Sequence, residues 1–195
     1  MTERYKEEQV TYEWVDEEGF SRHYDEVTKV YQRAFTCKPW EENLSEETVH
    51  QRLNEHVTKP GFRALFAYDQ IGGVKAALWY DTPTVDQLRD ERGDDLATLA
   101  QDFMTTHEDG LLVWEREVIV DPSWQGQGLA SHLRASFLDN LKKRPEQAAL
   151  VLTRMRSNNV RIMAVAEKFG YQKTGITMPT SQPEHYHEYW CLCVE

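Results

Sequence analysis

The stretch that decides the reading of this chain is "VIVDPSWQGQGLASHLRASFL", residues 118–138. An apolar run ends at Asp121-Pro122, a turn holding Gly126 and Gly128 comes next, and an amphipathic pattern opens at once. The run before the turn predicts a strand over 111–120, "LLVWEREVIV", and the pattern after it predicts a helix to about Lys143. A helix N-terminus presents unpaired N–H groups and the positive end of the helix dipole, which suits an anion. Glycines there remove Cβ atoms and let successive amides point inward. The turn can therefore cradle a pyrophosphate on the amides of roughly Gly126 to Ala130, with Gln125 and Gln127 as neutral donors. Packing alone also favours glycine in a tight strand-to-helix link, so the turn needs a second signal beside it. Two commoner phosphate patterns are absent. No Lys-Ser/Thr pair comes after the turn, and there is no third glycine with a later acidic ribose binder.

Working outward, residues 9–14, "QVTYEW", alternate as a strand, and 20–35 carry Phe20, Tyr24, Val27, Val30, Tyr31, Ala34 and Phe35 at helical spacing. Ser45 is an N-cap residue type before Glu46-Glu47-Thr48, which predicts a helix through about Val57. "FRALFAYD" (62–69) and "IGGVKAALWYD" (71–81) read as an antiparallel hairpin joined at Asp69-Gln70. An insertion over 82–110 is next, with one predicted helix in "DDLATLAQDFMTTHE". After the turn helix come a short apolar strand (148–154), a helix from an Asn cap to Gly170, and two closing strands. No repeat or Pro/Gly/Ser-rich linker divides the 195 residues, so one α/β domain over 1–195 is expected.

Composition narrows the partners. The formal net charge is −11, the reverse of the basic surface that nucleic acid demands. No apolar window is long enough for a membrane span, and the polar start, Met1 to Glu8, lacks the features of an export signal. A cytoplasmic protein is expected. Three cysteines, Cys37, Cys191 and Cys193, are too few and too odd in number for a disulfide framework. Nine acidic residues between Asp81 and Asp109, against two arginines, concentrate the negative charge in the insertion. Solubility explains such charge most simply; the sharper reading is attraction of a cationic amine.

The turn matches a third pattern. Gln125-Gly126-Gln127-Gly128-Leu129-Ala130 fits Q/R-x-x-G-x-G/A after a strand ending Val120-Asp121-Pro122. A second match, Asn159 and then Ala164 to Lys168 and Phe169-Gly170-Tyr171, lies about 30 residues on. In this order the two motifs resemble those of the GCN5-related N-acetyltransferases, the GNAT family. The likeness is close over about 110–195, and upstream it rests on element order alone. It implies a single-domain GNAT-like α/β fold: a mixed central sheet with a splayed strand pair, flanked by helices, with a helical insertion before the fourth strand. It implies acetyl-CoA as co-substrate and no metal. The backbone of Val118 and Val120 would hold the pantetheine arm. Gln125, Gly126, Gln127, Gly128, Leu129 and Ala130 would take the pyrophosphate, and Asn159 would reach the arm.

Attack of an amine on a thioester needs a neutral nitrogen, hence a base. Glu115 and Glu117 in "WEREVIV" are both candidates and share a face of a regular strand; a bulge would change which one faces the cleft. The tyrosine that the family often places four residues before the glycine, as general acid, is Ala166 here. Tyr186, Tyr171, His185 and His187 are substitutes, and solvent protonation of the thiolate is also feasible. His185-x-His187 has no third ligand in the sequence and is not read as a metal site. Tyr31, Phe35 and Trp40 border the expected acceptor by position, whereas Trp79, Tyr80, Trp114 and Trp190 read as core or rim. The expected activity is acetyl transfer to a primary amine of a small molecule or peptide. A non-catalytic acyl-CoA sensor, or an interaction domain keeping only the fold, are the alternatives. The family's habit of pairing implies a homodimer that no residue here decides.

Overall fold

The computed structural model describes residues 10–143, 147–180 and 184–195. The elements are β1 (Thr11–Val15), α1 (Glu17–Arg22), α2 (Tyr24–Thr36), α3 (Glu46–Val57), β2 (Arg63–Tyr68), β3 (Val74–Asp81), α4 (Val85–Arg92) and α5 (Asp94–Thr106). They continue with β4 (Leu111–Val120), a 3-10 turn (Pro122–Trp124), α6 (Leu129–Leu141), β5 (Ala149–Arg156), α7 (Val160–Lys168), β6 (Gln172–Pro179) and β7 (Tyr186–Val194). The strands form a seven-stranded mixed sheet in the order β1-β2-β3-β4-β5-β7-β6. Among the described residues no helix is long and apolar enough to cross a membrane.

Packing divides the chain into two compact units. One comprises Met1–Tyr80 and Glu117–Arg134, the other Asp81–Arg116 and Ala135–Glu195. The division falls within β4 and within α6, so the strand–turn–helix stretch contributes to each unit.

In the first unit β1, β2 and β3 pair antiparallel, with Trp14 opposite Leu65 and Leu65 opposite Leu78. Phe20, Val27, Val30, Tyr31 and Phe35 of α1 and α2, with Val49, Leu53 and Val57 of α3, bury against Phe66, Ala77, Trp79 and Ile119. Ser45 caps α3 as expected, accepting from Thr48 N at 3.1 Å. The helix expected over 20–35 is two helices. Asp16 caps an earlier start, and His23, with φ −110° and ψ 15°, breaks the run before Tyr24. The hairpin turn is wider than Asp69-Gln70 alone. Asp69 Oδ1 accepts from Ile71 N and Gly73 N, and Gly72 takes φ +82°, so β3 begins at Val74. Gln9, the first residue of the expected β1, lies outside the described residues.

In the second unit β4 and β5 run parallel, and β5 pairs antiparallel with β7, which pairs with β6. Leu112 and Trp114 of β4, Leu150 and Leu152 of β5 and Tyr189 of β7 bury against Leu88, Leu96 and Ala100 of the insertion. The insertion holds two helices rather than one. The extra helix, α4, opens on a capping box in which Thr84 and Gln87 satisfy each other's backbone amides.

Candidate active site

The sequence around β4 builds three local features. The first is the turn. Asp121 ends the strand and organises the turn beyond it. Its Oδ1 accepts from Ser123 N at 3.0 Å and Ser123 Oγ at 2.6 Å, and its Oδ2 accepts from Arg33 Nε at 2.9 Å and Nη2 at 2.6 Å. Burial opposes its charge. The Ser123 hydrogen bonds and the Arg33 guanidinium outweigh that and hold the carboxyl below its ordinary range. Gly126 and Gly128 adopt φ +78° and +88°, a region that disfavours side chains, and both are exposed. Gln125 and Gln127 fold back on the turn, donating from Nε2 to Val120 O and Ser123 O at 3.3 Å each. The first helical bond onto the turn runs from His132 N to Gly128 O. Among the described residues, the amides from Gly126 to Ser131 have no hydrogen-bond acceptor. A Cβ added at Gly126 or Gly128 meets nothing within 4 Å, so the ground over the turn is open. This is a fit for a pyrophosphate: oriented donors at a helix start, no competing carboxylate on them, and room for the ligand.

The second feature is where β4 leaves β5. Parallel pairing runs from Leu111↔Ala149 to Glu115↔Thr153 and then ends, although β4 continues to Val120 and β5 to Arg156. Thr153 Oγ1 donates to Glu115 O at 3.1 Å at that last pair. Beyond it, Ile119 is buried in the first unit's core while Val118 and Val120 remain half-buried. The register that β4 shares with β5 thus ends at Glu115.

The third feature separates the two candidate glutamates. Glu115 is 1% exposed and its Oε2 accepts from the Tyr171 hydroxyl at 2.7 Å, itself 3% exposed. Glu117 is half-buried and faces Tyr31, whose hydroxyl approaches Oε1 at 3.5 Å. Burial first, and Glu117 second, push the Tyr31 phenol far above its usual value, so it stays a donor. Arg52, ion-paired to Glu42 at 3.1 Å, hydrogen-bonds the same phenol. A base needs access to solvent, and Glu117 keeps exposure that Glu115 lacks.

The remaining sequence candidates lie in the second unit. Asn159 occupies the N-cap of α7, and its side chain makes no cap bond. Ala166 is buried, so the family's usual tyrosine position is a packing position here. Tyr171 is committed to Glu115. Tyr186 is 43% exposed at the start of β7, where its backbone exchanges bonds with Ser157 N and Oγ. His185 Nε2 lies 3.0 Å from Asn158 Nδ2. Burial, then Arg154, Arg156 and Arg92, press the His187 imidazole down to about 4, so it is neutral at physiological pH. Among the described residues one His/Cys/carboxylate group, His107, Cys193 and Glu195, brings its ligand atoms within 4.8 Å of one another; Cys193 and Glu195 are exposed. It shares no residue with the pair His185 and His187. The sequence reading missed Asp121, Arg33 and Tyr31 as organisers of the turn and of Glu117. The Asp-Pro-Ser run, a strand-ending Asx residue, was the available signal for the first.

A mixed sheet whose central strand ends in a glycine turn at the start of a helix defines an α/β domain. The acetyltransferase (GNAT) family model matches residues 24–171, well over half of the chain, and the chain belongs to that family. Acetyl transfer from acetyl-CoA is the chemistry of this family. No curated protein matches the chain in sequence. Solved structures match it in fold. The ribosomal-protein-S18-alanine N-acetyltransferase of Escherichia coli aligns with TM-score 0.61 and 15% identity, covering 95% of this chain and 94% of that one. Arabidopsis thaliana NAA60 in complex with a bisubstrate analogue gives 0.65 and 9%, covering 95% and 99%. Salmonella typhimurium yncA, solved with its cofactor acetyl-CoA, gives 0.57 and 14%, covering 95% and 94%. At these identities the likeness is one of fold.

Proposed function

We propose that this chain transfers the acetyl group of acetyl-CoA to a primary amine by direct attack in a ternary complex. The observation that carries the reading is the run of acceptor-free amides from Gly126 to Ser131 at the start of α6, directly after β4. These amides take the pyrophosphate, with Gln125 and Gln127 shaping the turn beneath them. The backbone of Val118 and Val120 holds the pantetheine arm. Asn159 keeps the arm-binding role that the family pattern gives it.

Acetyl-CoA supplies an activated acetyl group; the protein supplies position and a base. Glu117 takes a proton from the incoming ammonium, so that a neutral nitrogen faces the thioester carbonyl. Tyr31, kept protonated by burial, holds the Glu117 carboxylate in place. Glu115, out of solvent and bound by Tyr171, anchors the point at which β4 and β5 part. Tyr186 is the exposed hydroxyl available to protonate the departing thiolate; water can do the same.

Ala166 favours one second reading, an acyl-CoA-binding domain without turnover. A titration with acetyl-CoA and then an acetyl-transfer screen over amines tests both. Binding with transfer that Glu117→Gln abolishes is the expected result. Binding with no transfer to any amine supports the sensor, and no binding overturns both readings.

A further inference from the structure

His107, Cys193 and Glu195 meet because of how three strands of the second unit are registered. β4 begins at Leu111, just after the turn that closes α5, and Leu111 stands opposite Ala149 of β5. Ala149 stands opposite Val194 of β7 in turn. His107, the C-cap residue of α5, is thereby brought to the last residues of β7. There an imidazole nitrogen, a sulfur and a carboxylate oxygen lie within 4.8 Å of one another. Cys191 shares a strand face with Cys193 but packs on the cluster beneath α4 and α5, so its sulfur serves the core.

The histidine of this group is fixed in place. Its ring stacks on Phe103 with centroids 4.4 Å apart, and its Nδ1 lies 3.1 Å from Phe103 O. A carbonyl only accepts, so Nδ1 carries the proton and the lone pair of the neutral ring sits at Nε2. A hydrogen bond of this kind, from the far nitrogen to a backbone carbonyl, is what orients metal-ligating histidines. Gly110 N donates to His107 O at 2.8 Å. A Cβ at Gly110 would fall 2.8 Å from that oxygen and from Phe103 Cε1, so the turn closes this tightly only on glycine. Cys193 and Glu195 are exposed, and among the described residues neither side chain has a hydrogen-bond or ion-pair partner.

Thiolate, imidazole and carboxylate together suit a borderline-soft divalent metal, whereas calcium and magnesium take oxygen ligands and have no use for the sulfur. Bonds of about 2.0–2.3 Å to a tetrahedral ion set its ligand atoms about 3.3–3.6 Å apart. The three atoms need to close by about 1 Å, which rotation of the exposed Cys193 and Glu195 side chains supplies against the fixed His107. We propose that His107, Cys193 and Glu195 bind one zinc(II) ion, with water in the fourth position. Cys193 enters as the thiolate, its proton passing to solvent. The ion ties the turn between α5 and β4 to the end of β7 and is no reagent in acetyl transfer.

Cobalt(II) is the probe, because its spectrum reports its ligands, and it is titrated into the whole, untagged, reduced chain. One equivalent should give a thiolate-to-cobalt charge-transfer band in the near ultraviolet, with the intense visible bands of a four-coordinate ion. Zinc(II) should displace the cobalt with a dissociation constant of about 1 μM or tighter. Cys193→Ser removes the charge-transfer band and Cys191→Ser keeps it. His107→Gln and Glu195→Gln each weaken binding at least about tenfold. Zinc raises the Tm of wild type but not of Cys193→Ser, and a chelator reverses the rise. Circular dichroism shows that each variant is folded; should His107→Gln unfold, Glu195→Gln, at an exposed position, carries the same test. No charge-transfer band at saturating cobalt overturns the proposal. So does a band that survives in Cys193→Ser, or full affinity in both His107→Gln and Glu195→Gln, since a lone thiol then captures the metal. Absence of acetyl transfer sinks the function proposed above and moves none of these readings.

Discussion

Glu115 and Glu117 stand two residues apart on β4 and fall in different compact units. Glu115 is buried, and its Oε2 accepts from the Tyr171 hydroxyl at 2.7 Å. Glu117 is half-buried, with the Tyr31 hydroxyl 3.5 Å from its Oε1. A carboxyl closed off from solvent serves packing and hydrogen bonding, whereas one that keeps exposure can exchange a proton. Two identical residues on one strand are thus given different tasks by the side chains that reach them from elsewhere in the chain.

Substitutions can break that comparison, beginning with the largest expected effect. Glu117→Gln removes the proposed base, and kcat should fall about 10²–10⁴-fold at neutral pH with acetyl-CoA affinity retained. An equal loss from Glu115→Gln, with Glu117→Gln silent, would reverse the assignment of the two glutamates. Glu115→Gln should act on folding instead. It replaces the carboxyl that accepts from the Tyr171 hydroxyl with an amide, and a loss of about 1–3 kcal/mol is expected in urea unfolding.

Asp121 gives the turn a pH signature. Its folded-state value lies below the unfolded one, so its stabilisation is full above the ordinary carboxylate range. It is lost as pH falls through the folded value. Stability between about pH 6 and about pH 3 should therefore drop more steeply in wild type than in Asp121→Asn; parallel curves would remove Asp121 as the organiser. The smallest effect is expected from Tyr31→Phe. Its long bond to Glu117 implies a fall in kcat of about twofold to tenfold, read in steady-state kinetics.

How much of this was legible in the sequence depended on how local the cause was. The Ser45 cap, the limits of β4 and the glycine turn are each encoded within a few residues, and all three stand as read. Helix α4 went unread because "VDQLRDER" buries only Leu88 and has almost no apolar rhythm; its capping box, Thr84 and Gln87, was the available cue. The break at His23 was hidden for the opposite reason, since apolar spacing runs on through both helices. The different surroundings of Glu115 and Glu117 come from Tyr171 and Tyr31, 56 and 86 residues away, and no local pattern reports such distances. A count of acids in the insertion could not show that Arg116 and Arg89 take up several of them.

The central claim is that the turn after β4 holds acetyl-CoA. Calorimetric titration of wild type against Gly128→Val tests it most directly, with circular dichroism to show that both are folded. Valine at φ +88° is strained and sets the amides askew. A dissociation constant raised at least about tenfold, which is about 1.4 kcal/mol, is the predicted result. Equal affinity in the two proteins would contradict the account.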